Sequence, residues 1–181
     1  AIVDRIILTN KKLHVLDLGT GGGALLLSLL LELPSATGIG VDKSIAAVNL
    51  AKKNAEEVGL SSRTRFVVMD WAEAIKGSFD VVVSNPPYVP SSSIGSLSPE
   101  VSSYDPHLAL NGGPDGLACF RRIGEFLPVL LMPTGLAALE FGFGQSKSVS
   151  RIMSTAGLEI KAIRRDLSGK ERCILVSLSR K

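Results

Sequence analysis

The sequence predicts a doubly wound α/β domain, with a mostly parallel sheet, helices on both faces and an antiparallel hairpin at the end. Three features predict it. Short apolar runs of strand length alternate with longer stretches of helical periodicity. The segment FDVVVS at 79–84 carries three successive valines, the composition of a strand buried on both faces of a parallel sheet. The chain finishes on two strand-like runs, 158–164 and 172–179, joined by a polar turn containing Ser168, Gly169 and Lys170.

The elements follow in order. Residues 1–9 place Ile2, Val3, Ile6 and Ile7 on one face, as at the end of a helix. Residues 13–18 (LHVLDL) form a strand running into Gly19, and 24–33 form a helix, apolar on nearly all sides, that Pro34 stops. Residues 37–42 (TGIGVD) are the second strand. Ser44 caps the next helix and Gly59 ends it, with Ile45, Val48 and Ala55 apolar among Lys52, Lys53, Glu56 and Glu57. A third strand covers 64–69, a short segment with Trp71 follows, and 79–84 is the fourth strand. Residues 86–116 are rich in Pro, Ser and Gly and form a long loop, which in a compact domain is usually functional. A helix over 117–131, a strand over 136–141 and a helix over 146–156 lead into the hairpin.

Bulk composition narrows the function classes. Of 181 residues, 45% are hydrophobic and 20% charged, which supports one buried core and excludes a disordered chain. The longest apolar run, 24–33, is broken by Ser28 and Glu32 and is about half the length that spans a bilayer. Asp4 and Arg5 interrupt any early signal-peptide core, so no membrane partner is expected. The net charge is +3, but the basic pairs at 11–12, 52–53, 121–122 and 164–165 are scattered and lack interleaved aromatic residues. Direct nucleic-acid binding is therefore not expected. Cys119 and Cys173 form no CxxC pair and make no metal set with His14 and His107; a reducing, cytoplasmic setting without a metal follows.

Two segments carry chemistry. Asp17, Leu18, Gly19, Thr20, Gly21, Gly22 and Gly23 lie between the first strand and helix, at the carboxyl end of the sheet where ligands approach backbone closely. Asp42, 23 residues after Gly19, ends the second strand and can accept hydrogen bonds from both ribose hydroxyls of a nucleoside. The stretch from Gly19 to Ala24 also satisfies the dinucleotide fingerprint. Two features favour S-adenosyl-L-methionine instead. A carboxylate at Asp17 suits a cationic amino-acid moiety and repels a pyrophosphate. Asp70 and Trp71, after the third strand, suit the amino group and ring of adenine.

The second segment is Asn85, Pro86, Pro87 and Tyr88, directly after the fourth strand. An amide or amino nitrogen is a poor nucleophile while its lone pair is delocalised. The Asn85 side-chain oxygen and the Pro86 carbonyl can each accept one N–H of an –NH2 group, which favours pyramidalisation and aims the lone pair at a methyl donor. Pro87 fixes its own φ and stiffens the segment, and Tyr88 offers a flat surface to a planar group.

The DLGTGGG loop, Asp42, Asp70-Trp71 and NPPY together resemble the class I, Rossmann-like amino-group N-methyltransferases. The segment 104–117 (YDPHLALNGGPDGL) is similar to the loop after NPPY in the protein-(glutamine-N5) methyltransferases, especially the peptide chain release factor (PrmC/HemK) branch. The resemblance runs from the first strand to the terminal hairpin. It implies that 19–23 line the methionine part of the cofactor, that Asp42 holds the ribose and Trp71 the adenine, and that Asn85 touches both cofactor and substrate. It likewise implies the substrate: the glutamine of the Gly-Gly-Gln motif in a class 1 peptide chain release factor. Family members carry a helical N-terminal domain that helps dock this substrate. That domain has no counterpart in the sequence, so 1–181 is expected to be the methyltransferase domain alone. Gly22 stands where many relatives have Thr. A sister enzyme acting on a ribosomal-protein glutamine, a nucleic-acid N-methyltransferase, an NAD-dependent oxidoreductase and a cofactor-binding scaffold without turnover are the competing readings. An oxidoreductase leaves NPPY, Asp17 and the hairpin unexplained.

Overall fold

In a computed structural model, which describes residues 12–96 and 107–179, the chain forms a seven-stranded sheet in the order β3-β2-β1-β4-β5-β7-β6. The strands are β1 (His14–Leu18), β2 (Thr37–Asp42), β3 (Thr64–Val68), β4 (Phe79–Ser84), β5 (Leu131–Glu140), β6 (Leu158–Arg165) and β7 (Glu171–Leu178). The helices are α1 (Ala24–Glu32), α2 (Ile45–Glu57), α3 (Ala118–Leu130) and α4 (Ser146–Thr155). β1 to β5 pair in parallel, and β7 pairs antiparallel with both β5 and β6. The doubly wound sheet and its closing hairpin are as expected. The expected helix over 1–9 lies outside the described residues.

Each face of the sheet has its own core. On one, Phe120, Ile123, Leu127 and Met153 of α3 and α4 cover Leu16, Leu18, Val82 and Leu139. On the other, Leu26, Leu30, Val48 and Ala51 of α1 and α2 cover Val15, Val81 and Val83. The alternation of Val81, Val82 and Val83 between the two cores explains the triple-valine run: each face of β4 is inside. Fully burying such a side chain contributes about 1.5–3 kcal/mol.

The local signals act as expected in most places. The Ser44 hydroxyl oxygen accepts from the Ala47 N–H and caps α2. α2 turns Val48, Ala51 and Ala55 inward, whereas Ile45 is 67% exposed and not part of its buried stripe. β5 begins five residues before the expected start. Phe79 pairs with Leu131 and Val81 with Leu136, so the four residues 132–135 stand opposite the single residue Asp80 in an irregular stretch of the ladder. Proline lacks the donor a ladder needs, which is why the sequence reads a break between a helix ending at 131 and a strand starting at 136. A Cβ on Gly135 would stand 2.8 Å from the Phe79 carbonyl oxygen, so the stretch requires glycine. The long loop is also more structured than expected. Ser91–Ser96 forms 3-10 turns, His107–Leu110 a helical turn, and Val89 bridges to Asn111.

Candidate active site

β1 to β4 are parallel neighbours, with Leu18 paired to both Val41 and Ser84, and Asp42 paired to Val68. The loops after these strands therefore share one edge of the sheet. The glycine loop follows β1, Asp42 ends β2, Asp70 and Trp71 follow β3, and the NPPY segment follows β4. The switch of strand order falls between β1 and β4, so the glycine loop and NPPY flank the crevice where open α/β sheets bind ligands.

The glycine loop is pinned to its neighbours. The Gly19 and Thr20 amides both donate to the Val41 carbonyl at 2.9 Å, and Asn54 Nδ2 donates to the Gly22 carbonyl at 2.8 Å. Gly21 has φ 53 and open space where a side chain would stand, which leaves its backbone approachable. Gly23 (φ 83) starts α1, and a Cβ there would lie 3.2 Å from Ala51.

Two carboxylates serve this loop differently. Asp17 is 1% exposed, and its Oδ2 accepts from the Thr20 hydroxyl at 2.7 Å. Burial pushes its carboxyl up to about 6, against the hydrogen bonds from Thr20 and the Leu26 backbone, and the Asp42 charge adds to the rise. Asp42 is only partly buried. Its Oδ2 accepts from the Gly21 amide and its Oδ1 from the Ser44 amide, each at 2.8 Å. Each oxygen keeps a further lone pair for a ligand hydroxyl. On this geometry Asp42→Ala is expected to raise the dissociation constant for S-adenosylmethionine about 10- to 100-fold, the loss of one or two hydrogen bonds to a charged group. Calorimetry giving unchanged affinity would remove Asp42 from the site.

Trp71 is the one non-glycine residue with positive φ (51) among the described residues. Such a backbone costs on the order of 1–2 kcal/mol and is held only where its surroundings demand it. A Cβ on Gly19 would lie 3.9 Å from Trp71 Cζ3, so the indole sits against the glycine loop. Asp70 is exposed, with its Oδ2 3.2 Å from Lys43 Nζ.

On the other side of the crevice, Ser84 is buried and its hydroxyl donates to the Leu18 carbonyl at 2.6 Å. The chain then emerges. Asn85 is exposed and its side chain makes no hydrogen bond among the described residues, Pro86 is buried, and Pro87 and Tyr88 are half-buried. Burial pushes the Tyr88 phenol up, and the Glu140 charge adds to this. Sequence reasoning missed three residues around this segment: Glu140 at the end of β5, Asn111, whose Oδ1 accepts from Ser91 and Gly113, and Gln145. The signal that could have found Gln145 is its place, a polar residue after β5 at the same sheet edge as the other loops.

Over 162 residues the chain is 49% identical to the release factor glutamine methyltransferase of Rhodospirillum rubrum, covering 90% of this chain and 50% of that protein. It is 41% identical over 179 residues to the protein of the same name from Caulobacter vibrioides, covering 96% of this chain and 62% of the relative. The chain thus spans about half to three-fifths of these relatives' length. The crystal structure of ribosomal protein L11 methylase from Lactobacillus delbrueckii subsp. bulgaricus superposes with a TM-score of 0.73 at 17% identity, covering 98% of this chain and 75% of that one. The fold is the class I, Rossmann-like methyltransferase fold. The family model described as methyltransferase small domain matches residues 3–96, more than half of the 181 residues, and the chain belongs to that family.

Proposed function

We propose that this chain is the methyl-transfer domain of a release factor glutamine methyltransferase. It transfers the methyl group of S-adenosylmethionine to the side-chain amide nitrogen of the glutamine in the Gly-Gly-Gln motif of class 1 release factors. One observation carries the reading: the exposed Asn85 side chain, without a hydrogen bond among the described residues, stands on an NPPY segment across the crevice from a glycine loop. The names of relatives 49% and 41% identical to this chain support the choice of substrate.

The residues at the crevice fit the cofactor. Asp17 is a buried carboxylate with one hydroxyl partner, suited to an ammonium group. Asp42, fixed from behind by two backbone amides, presents lone pairs to ribose hydroxyls. Trp71, against Gly19, offers a ring face to adenine. When bound, S-adenosylmethionine supplies an electrophilic methyl on a sulfonium. Asn85 Oδ1 and the Pro86 carbonyl accept the two N–H groups of the substrate amide and turn its nitrogen lone pair toward the crevice. No side chain has to remove a proton before attack; the extra proton leaves the nitrogen afterwards. Catalysis then rests on orientation, an effect that supplies roughly 7–11 kcal/mol in favourable cases.

Residues 1–181 are assigned to this one domain, and the further length of the relatives to docking of the release factor. No helix among the described residues is long and apolar enough to cross a membrane. The reaction is assigned to the cytoplasm, where Cys119 and Cys173 remain free thiols.

Mass spectrometry tests the proposal. An unmodified class 1 release factor incubated with S-adenosylmethionine and this chain is expected to gain one methyl on the Gly-Gly-Gln glutamine. Cofactor binding without any methylated glutamine would sink the assignment and turn attention to ribosomal-protein glutamine or nucleic-acid amino groups.

A further inference from the structure

We infer that Gln145 is the positioning residue of the acceptor site: its amide fixes the exit of the 85–88 segment and thereby the direction in which Asn85 and the Pro86 carbonyl meet the substrate. The inference rests on the acceptor role proposed above for that segment.

Two distant stretches of chain and the turn just before α4 converge on this one amide. Gln145 Nε2 donates to the Tyr88 carbonyl at 2.9 Å and to the Gly116 carbonyl at 3.3 Å, and Oε1 accepts from the Gly142 amide at 2.8 Å. Both donors of the amide are used, and its oxygen holds a backbone N–H. The surroundings leave no space for an alternative. Gly116 has φ 74, and a Cβ there would overlap the Tyr88 carbonyl oxygen and Gln145 Nε2. A Cβ on Gly142 would stand 2.8 Å from Gln145 Oε1 and 2.9 Å from Tyr88 Cδ2. Two glycines thus let the backbone close around the amide and the Tyr88 ring.

Helix capping does not account for this side chain. Gln145 is the N-cap residue of α4, yet its side chain makes no bond to the helix amides and turns back toward the site. Ser44 caps α2 with its own hydroxyl, so the fold uses the ordinary device elsewhere. Nor is the NPPY exit held by other side chains: among the described residues Gln145 makes the only side-chain hydrogen bond to the tetrapeptide. Its entry is held through Ser84 on the Leu18 carbonyl, and its exit through Gln145. Between the two anchors, no side-chain hydrogen bond among the described residues holds the Asn85 oxygen or the Pro86 carbonyl. Misplacement of about 1 Å at such acceptors can cost about 100-fold in rate.

The chemistry requires an amide. A carboxylate of the same shape would face two carbonyl oxygens with no donor, and an apolar side chain would leave three backbone groups unpaired. Gln145→Glu and Gly142→Ala disturb the brace from opposite sides, and among the described residues neither side makes a hydrogen bond to the glycine loop, Asp42 or Trp71.

The test compares the unaltered chain with Gln145→Glu and Gly142→Ala, using a class 1 release factor as substrate. Three quantities are read: kcat, the dissociation constant for S-adenosylmethionine by calorimetry, and hydrogen exchange at the Val89 amide, which adjoins Tyr88 and bonds the Leu110 carbonyl. The expected signature in both variants is a kcat about 10- to 100-fold lower, Val89 exchange about tenfold faster, and cofactor affinity within about twofold. Undiminished kcat in both variants overturns the inference, as does a parallel loss of cofactor affinity, which a general loosening of the fold would give. Unchanged Val89 exchange overturns it whatever the enzyme methylates. An unaltered chain that methylates no glutamine defeats the acceptor reading instead, with the exchange measurement still deciding whether Gln145 braces the segment.

Discussion

Replacing Asn85 by alanine is expected to lower kcat for glutamine methylation about 100- to 1000-fold, the cost of removing one group that is aligned only on the developing transition state. The side chain is exposed and makes no hydrogen bond among the described residues, so its truncation removes no such bond from the described fold. Truncation at such a position changes stability by no more than about 0.5 kcal/mol. The loss should therefore appear in turnover far more than in affinity for S-adenosylmethionine, with the melting temperature nearly unchanged. Asn85→Asp sharpens the result. Aspartate keeps an acceptor oxygen in the same place and should retain more activity than alanine. Single-turnover kinetics on the release factor, with calorimetry for the cofactor, separates these effects. Asn85→Ala abolishing cofactor binding and turnover together would show a different role, and equal activity of the alanine and aspartate variants would remove the acceptor argument.

What the sequence made legible follows the range of the interactions involved. β2 and β4 match their expected bounds, and β1 and β3 match within one residue. Each is a short apolar run closed by a glycine, a carboxylate or a proline only a few positions away. The glycine loop and NPPY were legible for the same reason, because their chemistry is written in consecutive residues. The start of β5 was not. Pro133 and Gly135 carry a turn signal locally, and only the pairing of Leu131 with Phe79 keeps that segment in the sheet. Ile45 fits the apolar period of α2 but faces outward, because one helical stripe is already filled by Val48, Ala51 and Ala55. Gln145 was illegible by its nature: its partners Tyr88 and Gly116 lie 57 and 29 residues away, and no spacing rule links them. Trp71 was legible as an aromatic residue after β3, but its left-handed backbone was not, since no glycine or asparagine marks it.

Asp17→Asn is expected to make the ligand-free protein more stable at neutral pH while weakening cofactor binding. Burial raises the Asp17 carboxyl from 3.8 to about 6, equivalent to about 3 kcal/mol spent on keeping the charge inside at pH 7. The sign follows from proton binding. Between these two values the folded chain binds more protons at Asp17 than the unfolded chain, so stability from this group falls as pH rises through the window and is level above it. Asparagine never carries the charge, and its oxygen can still accept from Thr20. Its new N–H groups need partners, so the net gain is about 1–2 kcal/mol rather than the whole amount. For a domain of this size that is a rise in melting temperature of about 2–8 °C at pH 7. The advantage should shrink as the pH is lowered toward 4, where Asp17 of the unaltered protein is itself neutral. Cofactor binding should move the opposite way. An ammonium group favours ionised Asp17, so affinity of the unaltered chain declines as pH falls below about 6, and the variant binds about 10- to 100-fold more weakly at pH 7. Thermal melts and calorimetry across this pH range check both halves. A stability difference that does not vary with pH, or a variant that binds S-adenosylmethionine as well as the original, would mean that this buried charge is not held in place for the cofactor.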